Sequence, residues 1–212
     1  MFIELTEILR CPRGHPESYV VATPIVMDGR RIVRGVVGCP ECQAEFPIID
    51  GVVYFAPRGA AAARAGGAPA SPTYDGPALA AFLELSGPGG YVVLAGAAAR
   101  HAAALSVAMP GVHVVAVNAP SGVAPGPMVS LLVSAGALPL KSAAVRGVAL
   151  GADHAAAPWL GEAARVLLPG RRLVVEEEAA EPAGVEPLAR GAGVFVGTRG
   201  RGAVEPPGGS GA

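Results

Sequence analysis

Between Tyr91 and Val175 the chain alternates short apolar runs with glycine turns and helix-like stretches, and this alternation constrains the fold more than any other feature. Tyr91-Val92-Val93-Leu94-Ala95 is apolar throughout, as expected of a strand buried on both faces. Gly96 follows, then a predicted helix over 97–109 that Pro110-Gly111 stops. Further strands are predicted at 112–117, 128–133, 145–150 and 172–176, with one more around 194–197. A helix running to Leu168 precedes the fifth of these strands. Asp153 is its expected N-cap, or Pro158 marks its first turn instead. Three prolines and two glycines in 119–127 leave the second helix of such a pattern absent or reduced. Strands alternating with helices predict an α/β fold with a mostly parallel sheet and right-handed crossovers.

Residues 1–57 follow another pattern. Apolar runs at 19–27 and 31–38 flank Asp28-Gly29, a strong hairpin signal, and 46–55 holds a second turn between apolar stretches. On either side of the hairpin lie Cys11-Pro12-Arg13-Gly14-His15 and Cys39-Pro40-Glu41-Cys42. Zinc takes four nitrogen or sulfur ligands in a tetrahedron, and two tight knuckles can supply two each. Cys11, His15, Cys39 and Cys42 are therefore the expected ligands of a structural Zn2+, with no position left open for catalysis. Two alternatives stand beside this reading. One is a decayed, metal-free ribbon with His15 at the surface. The other is a redox pair at Cys39 and Cys42, which lacks the βαβ context such pairs use.

Residues 56–73 are Ala, Gly, Pro, Arg and Ser with almost nothing to bury. The expected organisation is a β-rich ribbon domain at 1–57, a flexible linker at 58–73, an α/β domain at 74–199 with a short helix over 77–85, and a disordered tail at 200–212. The net charge of −1 argues against nucleic acid as a partner, since phosphate binding needs clustered cations. Arginine supplies 15 of the 16 basic residues and Lys141 is the sole lysine, a bias that a GC-rich genome explains. No apolar run reaches the roughly 18 residues of a membrane span, and the start of the chain lacks a signal-peptide pattern. The expected location is cytoplasmic.

The N-terminal unit resembles the small zinc-ribbon activator subunit of tRNA and protein methyltransferases, through L-T-E-I-L-R-C-P, C-P-E-C and F-P-I-I-D-G-V-V-Y-F. C-P-x-x-H also looks like the knuckle that some 23S rRNA guanine methyltransferases carry before a Rossmann-like domain. The second domain resembles a class I S-adenosylmethionine-dependent methyltransferase. Trp159 to Leu173 is close to that family's L-x-E-x-x-R-V-L-x-P-G-G-x-L, and Leu138-Pro139-Leu140 matches its L-P motif. The resemblance implies a reduced Rossmann-like methyltransferase domain.

The same resemblance places the cofactor over the turn after the first strand of that domain. Only Gly96 keeps the glycine pattern there. Ala95 stands for an acid, and Ala98 and Arg100 stand for glycines. Asn118 replaces the carboxylate that would bind the ribose, and Ser134 replaces the aspartate that would meet the adenine. Gly96, Asn118 and Ser134 are thus the degenerate cofactor-binding positions. Each lost charge-assisted hydrogen bond costs about 1.5–3 kcal/mol, and about 1.4 kcal/mol is tenfold in affinity. Several such losses argue against S-adenosylmethionine binding.

No catalytic residue is assigned. Asp153-His154 is the best remaining catalytic pair, and helix capping by Asp153 explains it more simply. Glu176-Glu177-Glu178 reads as a solvated loop, His101 as a surface or capping residue, and His113 as buried or at a strand edge. The expected function is a non-catalytic scaffold or accessory subunit. It would act through a protein partner or larger complex, with a homodimer left open. The alternatives are an active S-adenosylmethionine-dependent methyltransferase on RNA or a small molecule, and a ribbon that binds RNA directly.

Overall fold

The structure is a computed structural model and describes residues 1–57, 72 and 74–201. The linker expected at 58–73 and the tail expected at 200–212 fall almost wholly outside the described residues. Four strands come from the N-terminal unit: β1 (Val21–Asp28), β2 (Arg31–Gly38), β3 (Glu45–Ile49) and β4 (Val52–Tyr54). Then follow α1 (Gly76–Phe82), β5 (Tyr91–Ala95), α2 (Ala102–Ala108), β6 (His113–Val117), β7 (Val129–Val133), β8 (Val145–Leu150), α3 (Trp159–Val166), β9 (Leu167–Val175), β10 (Val185–Gly191) and β11 (Val194–Arg199). The described helices are short, shorter than the sequence-based expectations of 97–109 and 153–168.

All eleven strands form one sheet in the order β1-β2-β3-β4-β7-β6-β5-β8-β9-β11-β10. The five strands β7-β6-β5-β8-β9 are mutually parallel. Counted along the chain they read 3-2-1-4-5, the doubly wound order whose direction reverses beside β5. The expected α/β class with a mostly parallel central sheet is what the chain adopts. β11 runs antiparallel to both β9 and β10, and β10 forms that edge.

Alternation along each strand builds two cores. Val93, Ala95, Val115, Val117, Val148, Leu150, Leu173 and Val175 face Trp159, Ala163 and Val166 of α3. Val92, Leu94, Val114, Ala116, Ala149 and Val174 face Leu79 and Leu83 near α1 and Leu105 of α2. With both faces covered, the central strands are apolar at most positions, which is why they read so plainly. Asp75 caps α1 by accepting from the Ala78 N–H at 2.8 Å, with Pro77 in its first turn.

The N-terminal unit joins this sheet directly. β4 pairs in parallel with β7, matching Val52 with Leu131 and Tyr54 with Val133, and the Phe55 N–H donates to Val133 O at 2.8 Å. A second seam runs through the L-P-L motif. Leu9 bridges Leu140, the Arg10 N–H donates to Pro139 O at 3.0 Å, and the Lys141 N–H donates to Ile8 O at 2.8 Å. Leu5 and Leu9 are fully buried in the core that α3 also covers. Residues 1–57 and 74–199 are therefore continuous in hydrogen bonding and in core.

Several sequence expectations shift. The helix expected over 97–109 is a 3-10 segment, Gly96–His101, followed by only seven α-helical residues. The helix expected from Asp153 begins at Trp159 with Pro158 at the N-cap position, so Asp153 caps nothing there. Leu167 is already extended, so β9 starts well before the predicted Arg172. β10 has no counterpart among the predicted strands.

Candidate metal centre and strand-end crevice

Two clusters concentrate the chemistry. The first lies at the ribbon's knuckles. Cys11 follows the Leu9–Leu140 bridge, Cys39 comes directly after β2, and Cys42 sits in the turn before β3. That turn is tied by Gln43 N–H to Cys39 O at 3.0 Å and Cys39 N–H to Ala44 O at 2.9 Å. The ligand atoms of Cys11, His15, Cys39 and Cys42 all lie within 4.8 Å of one another. The Sγ atoms of Cys11 and Cys42 are 3.7 Å apart, and His15 Nε2 is 3.4 Å from Cys39 Sγ.

These spacings fit a tetrahedral ion. Zn–S bonds near 2.3 Å and Zn–N bonds near 2.0–2.1 Å imply edges of about 3.8 Å between sulfurs and about 3.6 Å between sulfur and nitrogen. A disulfide would need its sulfurs about 2 Å apart, and all three cysteines are free. His15 Nδ1 lies 2.8 Å from Pro16 O, so a proton on Nδ1 turns the bare Nε2 toward the thiols. That is the usual outer partner of a metal-bound histidine. Burial pushes the Cys11 thiol up. Cys39 moves down, because N–H groups of Cys42 and Glu41 and the Ser18 hydroxyl outweigh its burial.

The second cluster fills the carboxyl ends of β5, β6, β7, β8 and β9, where doubly wound sheets open their ligand crevice. Asn118, just beyond β6, has a left-handed φ of 51°, a conformation asparagine tolerates. Its side-chain oxygen accepts from the Ser134 N–H at 2.9 Å, and its amide nitrogen donates to Ser134 O at 2.9 Å. The other amide hydrogen faces His154 Nε2 at 3.1 Å. An amide can only donate there, so Nε2 accepts and the His154 proton sits on Nδ1. Nδ1 lies 3.1 Å from Asp153 Oδ2, close to the carboxylate but out of line for a good hydrogen bond. The Ala97 N–H donates to Asp153 Oδ1 at 2.9 Å. Burial raises the Asp153 pKa, but His154 and the Ala97 N–H outweigh it, and the group stays ionised.

This string of polar groups has no nucleophile. The Ser134 hydroxyl donates to Ala137 O at 2.6 Å rather than to the histidine. The string fills space instead. At Gly96, where φ is +61°, a β-carbon would stand 2.2 Å from His154 Nδ1 and 2.3 Å from Asp153 Oδ1. At Gly151 it would stand 2.5 Å from Asp153 Oδ1 and 2.6 Å from the Ala97 nitrogen. Both glycines are there because Asp153 and His154 press onto the backbone. His154 is held from behind by Trp159, with ring centroids 4.3 Å apart.

Beside it, Glu176, just beyond β9, has its side chain fully buried, which corrects the expected solvated loop at that residue, while Glu177 and Glu178 are exposed as expected. Arg100 pairs with both its oxygens, at 2.7 and 2.9 Å, and also donates to Pro72 O at 3.1 Å. The Tyr74 hydroxyl donates to Glu176 at 2.5 Å. Burial and the Glu176 charge push the Tyr74 pKa up strongly. His101, expected at the surface or at a cap, is buried and stacked on Tyr74 at 4.6 Å with no capping bond. His113 is buried, as one of its two sequence readings has it, and lies far from this crevice at the opposite ends of the strands.

Of the sequence-predicted site residues, the structure brings Cys11, His15, Cys39 and Cys42 together. It also brings Gly96, Asn118 and Ser134 together, around Asp153 and His154. It adds Arg100, Glu176 and Tyr74. Glu176 carries no local signal, because the pairing that buries it comes from residues 76 and 102 positions away.

No family model matches the chain, and no curated protein matches it. Similar solved structures are methyltransferases. A chain of the complex between the Haloferax volcanii Trm112 methyltransferase activator and a methyltransferase is 24% identical over 47% of this chain and 50% of its own, with a TM-score of 0.38. The antibiotic-resistance methyltransferase Kmr is 17% identical over 64% of this chain and 97% of its own, with a TM-score of 0.43. Geranyl diphosphate C-methyltransferase from Streptomyces coelicolor is 18% identical over 47% of this chain and 41% of its own, with a TM-score of 0.37. The chain spans about half the length of the first of these. Among the described residues, no helix is long and apolar enough to cross a membrane.

Proposed function

We propose that this chain is a non-catalytic scaffold or accessory subunit: a structural zinc ribbon fused to a methyltransferase-like fold that acts through protein partners. One observation carries the reading. Asp153 and His154 occupy the space directly over Gly96, within 2.5 Å of where a β-carbon would be. That space is where the cofactor of the resembled enzymes would lie. Asn118 and Ser134, the residues left to greet ribose and adenine, spend their hydrogen bonds on each other and on His154. Arg100 and Glu176 neutralise each other at the crevice edge. Every polar group needed for cofactor recognition already has a partner in the chain.

Cys11, His15, Cys39 and Cys42 would hold Zn2+ with all four positions filled by protein, so the ion would brace the ribbon and activate no water. The rival reading, an active S-adenosylmethionine-dependent methyltransferase on RNA or a small molecule, draws on Gly96. It keeps the left-handed turn at the end of β5 that a cofactor turn requires. Incubation with radiolabelled S-adenosylmethionine and total RNA or small-molecule fractions separates the two. The scaffold reading expects no label transfer above a heat-killed control. Transfer that tracks enzyme concentration overturns it.

A further inference from the structure

We propose that β1 is a self-association surface, through which a second copy of this chain packs against the first, β1 to β1. Among the described residues, β1 is the outermost strand of the sheet and pairs only with β2, so its outer backbone groups have no ladder partner there. Among the described residues seven large hydrophobics are exposed, and five of them lie on this strand and its lead-in. These are Tyr19 at 61%, Val21 at 51%, Ile25 at 65%, Val26 at 40% and Met27 at 41%. Free strand edges in soluble proteins are normally blunted by charge, above all by lysine. Here no charged residue occurs between Glu17 and Asp28.

The neutrality points to a second copy. A two-fold contact sets the same patch against itself, so any charge on the patch meets its like. Residues 18–27 offer none, and at the strand's end Asp28 pairs with Arg31 at 3.6 Å. The exposed parts of the five side chains amount to about 500 Å² per copy, so mutual burial reaches the roughly 1,000 Å² that a specific interface needs. Pro24 has no N–H, and the register with β2 slips between Pro24 and Met27. The ladder between copies is therefore broken at its middle. Tyr19, Val21, Ile25 and Met27 carry the contact by packing.

The proposal rests on the reading that the chain works through protein contacts, and its failure can be told apart from that reading's. Sedimentation equilibrium of the full, metal-loaded chain, from about 5 to about 200 μM, is expected to show mass rising from one copy to two. Ile25→Glu sets two like charges across the two-fold and weakens association at least tenfold. It leaves the melting curve in place, because Ile25 is exposed. A single-copy mass at the top concentration overturns the dimer, and if that monomer still captures another protein, the scaffold reading stands without it. A dimer indifferent to both Ile25→Glu and Met27→Glu also overturns the proposal. Should either variant misfold, hydrogen exchange of the wild type decides. The amides of β1 should slow as concentration rises, and unchanged exchange contradicts the pairing.

Discussion

The two polar clusters of this molecule differ in what their groups face. At the knuckles, three sulfurs and one imidazole nitrogen lie within 4.8 Å of one another, two of the separations at 3.7 and 3.4 Å, with backbone groups behind them holding the turn and the ring. At the strand ends, Asn118 bonds to the Ser134 backbone and to His154, the Ser134 hydroxyl to Ala137 O, and Asp153 to the Ala97 N–H, while His154 Nδ1 lies beside the Asp153 carboxylate. The first cluster points its ligand atoms toward a shared centre, and the second spends its polar groups on neighbouring parts of the chain. A polar cluster in the place where a fold family binds its ligand is therefore no sign of binding until its own mutual contacts are counted.

The largest way to break this contrast is to empty the knuckles. Purified protein should carry about one zinc per chain. Chelation should unfold the ribbon, because structural zinc contributes on the order of 10 kcal/mol to small domains. Metal analysis with circular dichroism checks both. Zinc well below one per chain, with an intact ribbon, would mean that the knuckle persists without its ion.

Glu176→Ala attacks the second cluster. It leaves Arg100 and Tyr74 without their buried partner and should cost about 3–5 kcal/mol in a denaturant melt. Exposed Glu177→Ala should cost almost nothing, so a similar loss for both would contradict the burial.

A pH titration tests the far end of the same strands. Burial, then the neighbouring N-terminal amine, lowers the His113 pKa to about 4. Burial, then Arg31, lowers that amine to about 5. In both cases the folded chain refuses a proton that the unfolded chain accepts. Stability is then complete above the unfolded values and is lost as pH falls. For His113 the loss falls between pH 6.5 and about 4 and amounts to about 3 kcal/mol at 1.36 kcal/mol per pH unit. His113→Phe should flatten that slope, and an unchanged slope would assign the acid sensitivity elsewhere.

The smallest effect sharpens the contrast most. Gly96→Ala should cost about 2 kcal/mol, from a left-handed backbone and from contact with Asp153 and His154. Part of that cost should return in a His154→Gly background, as coupled neighbours show in a double-mutant cycle. Strict additivity would mean that the histidine does not fill the space over Gly96.

Much of the fold was legible because burial is two-sided. Strands β5, β6, β7, β8 and β9 read from sequence since both faces demand apolar residues. β10 was missed because its residues from Glu186 to Gly191 are exposed and show no alternation. The metal cluster was legible because its residues sit in two short knuckles whose spacing is itself the signal. The strand-end plug was only half legible. Ala95, Asn118 and Ser134 were legible as departures from the resembled family's pattern. What fills the space over Gly96 depends on a contact between Asp153 and the Ala97 N–H across 56 positions. Local reading gave Asp153 to the nearer helix, and Glu176 to solvent, for the same reason.

The central claim is that the crevice is occupied by the chain itself. Isothermal titration of the zinc-loaded protein with S-adenosylmethionine, and with its demethylated product, tests this most directly. The plug predicts no saturable heat for either compound below about millimolar concentration. A micromolar dissociation constant for either would contradict it.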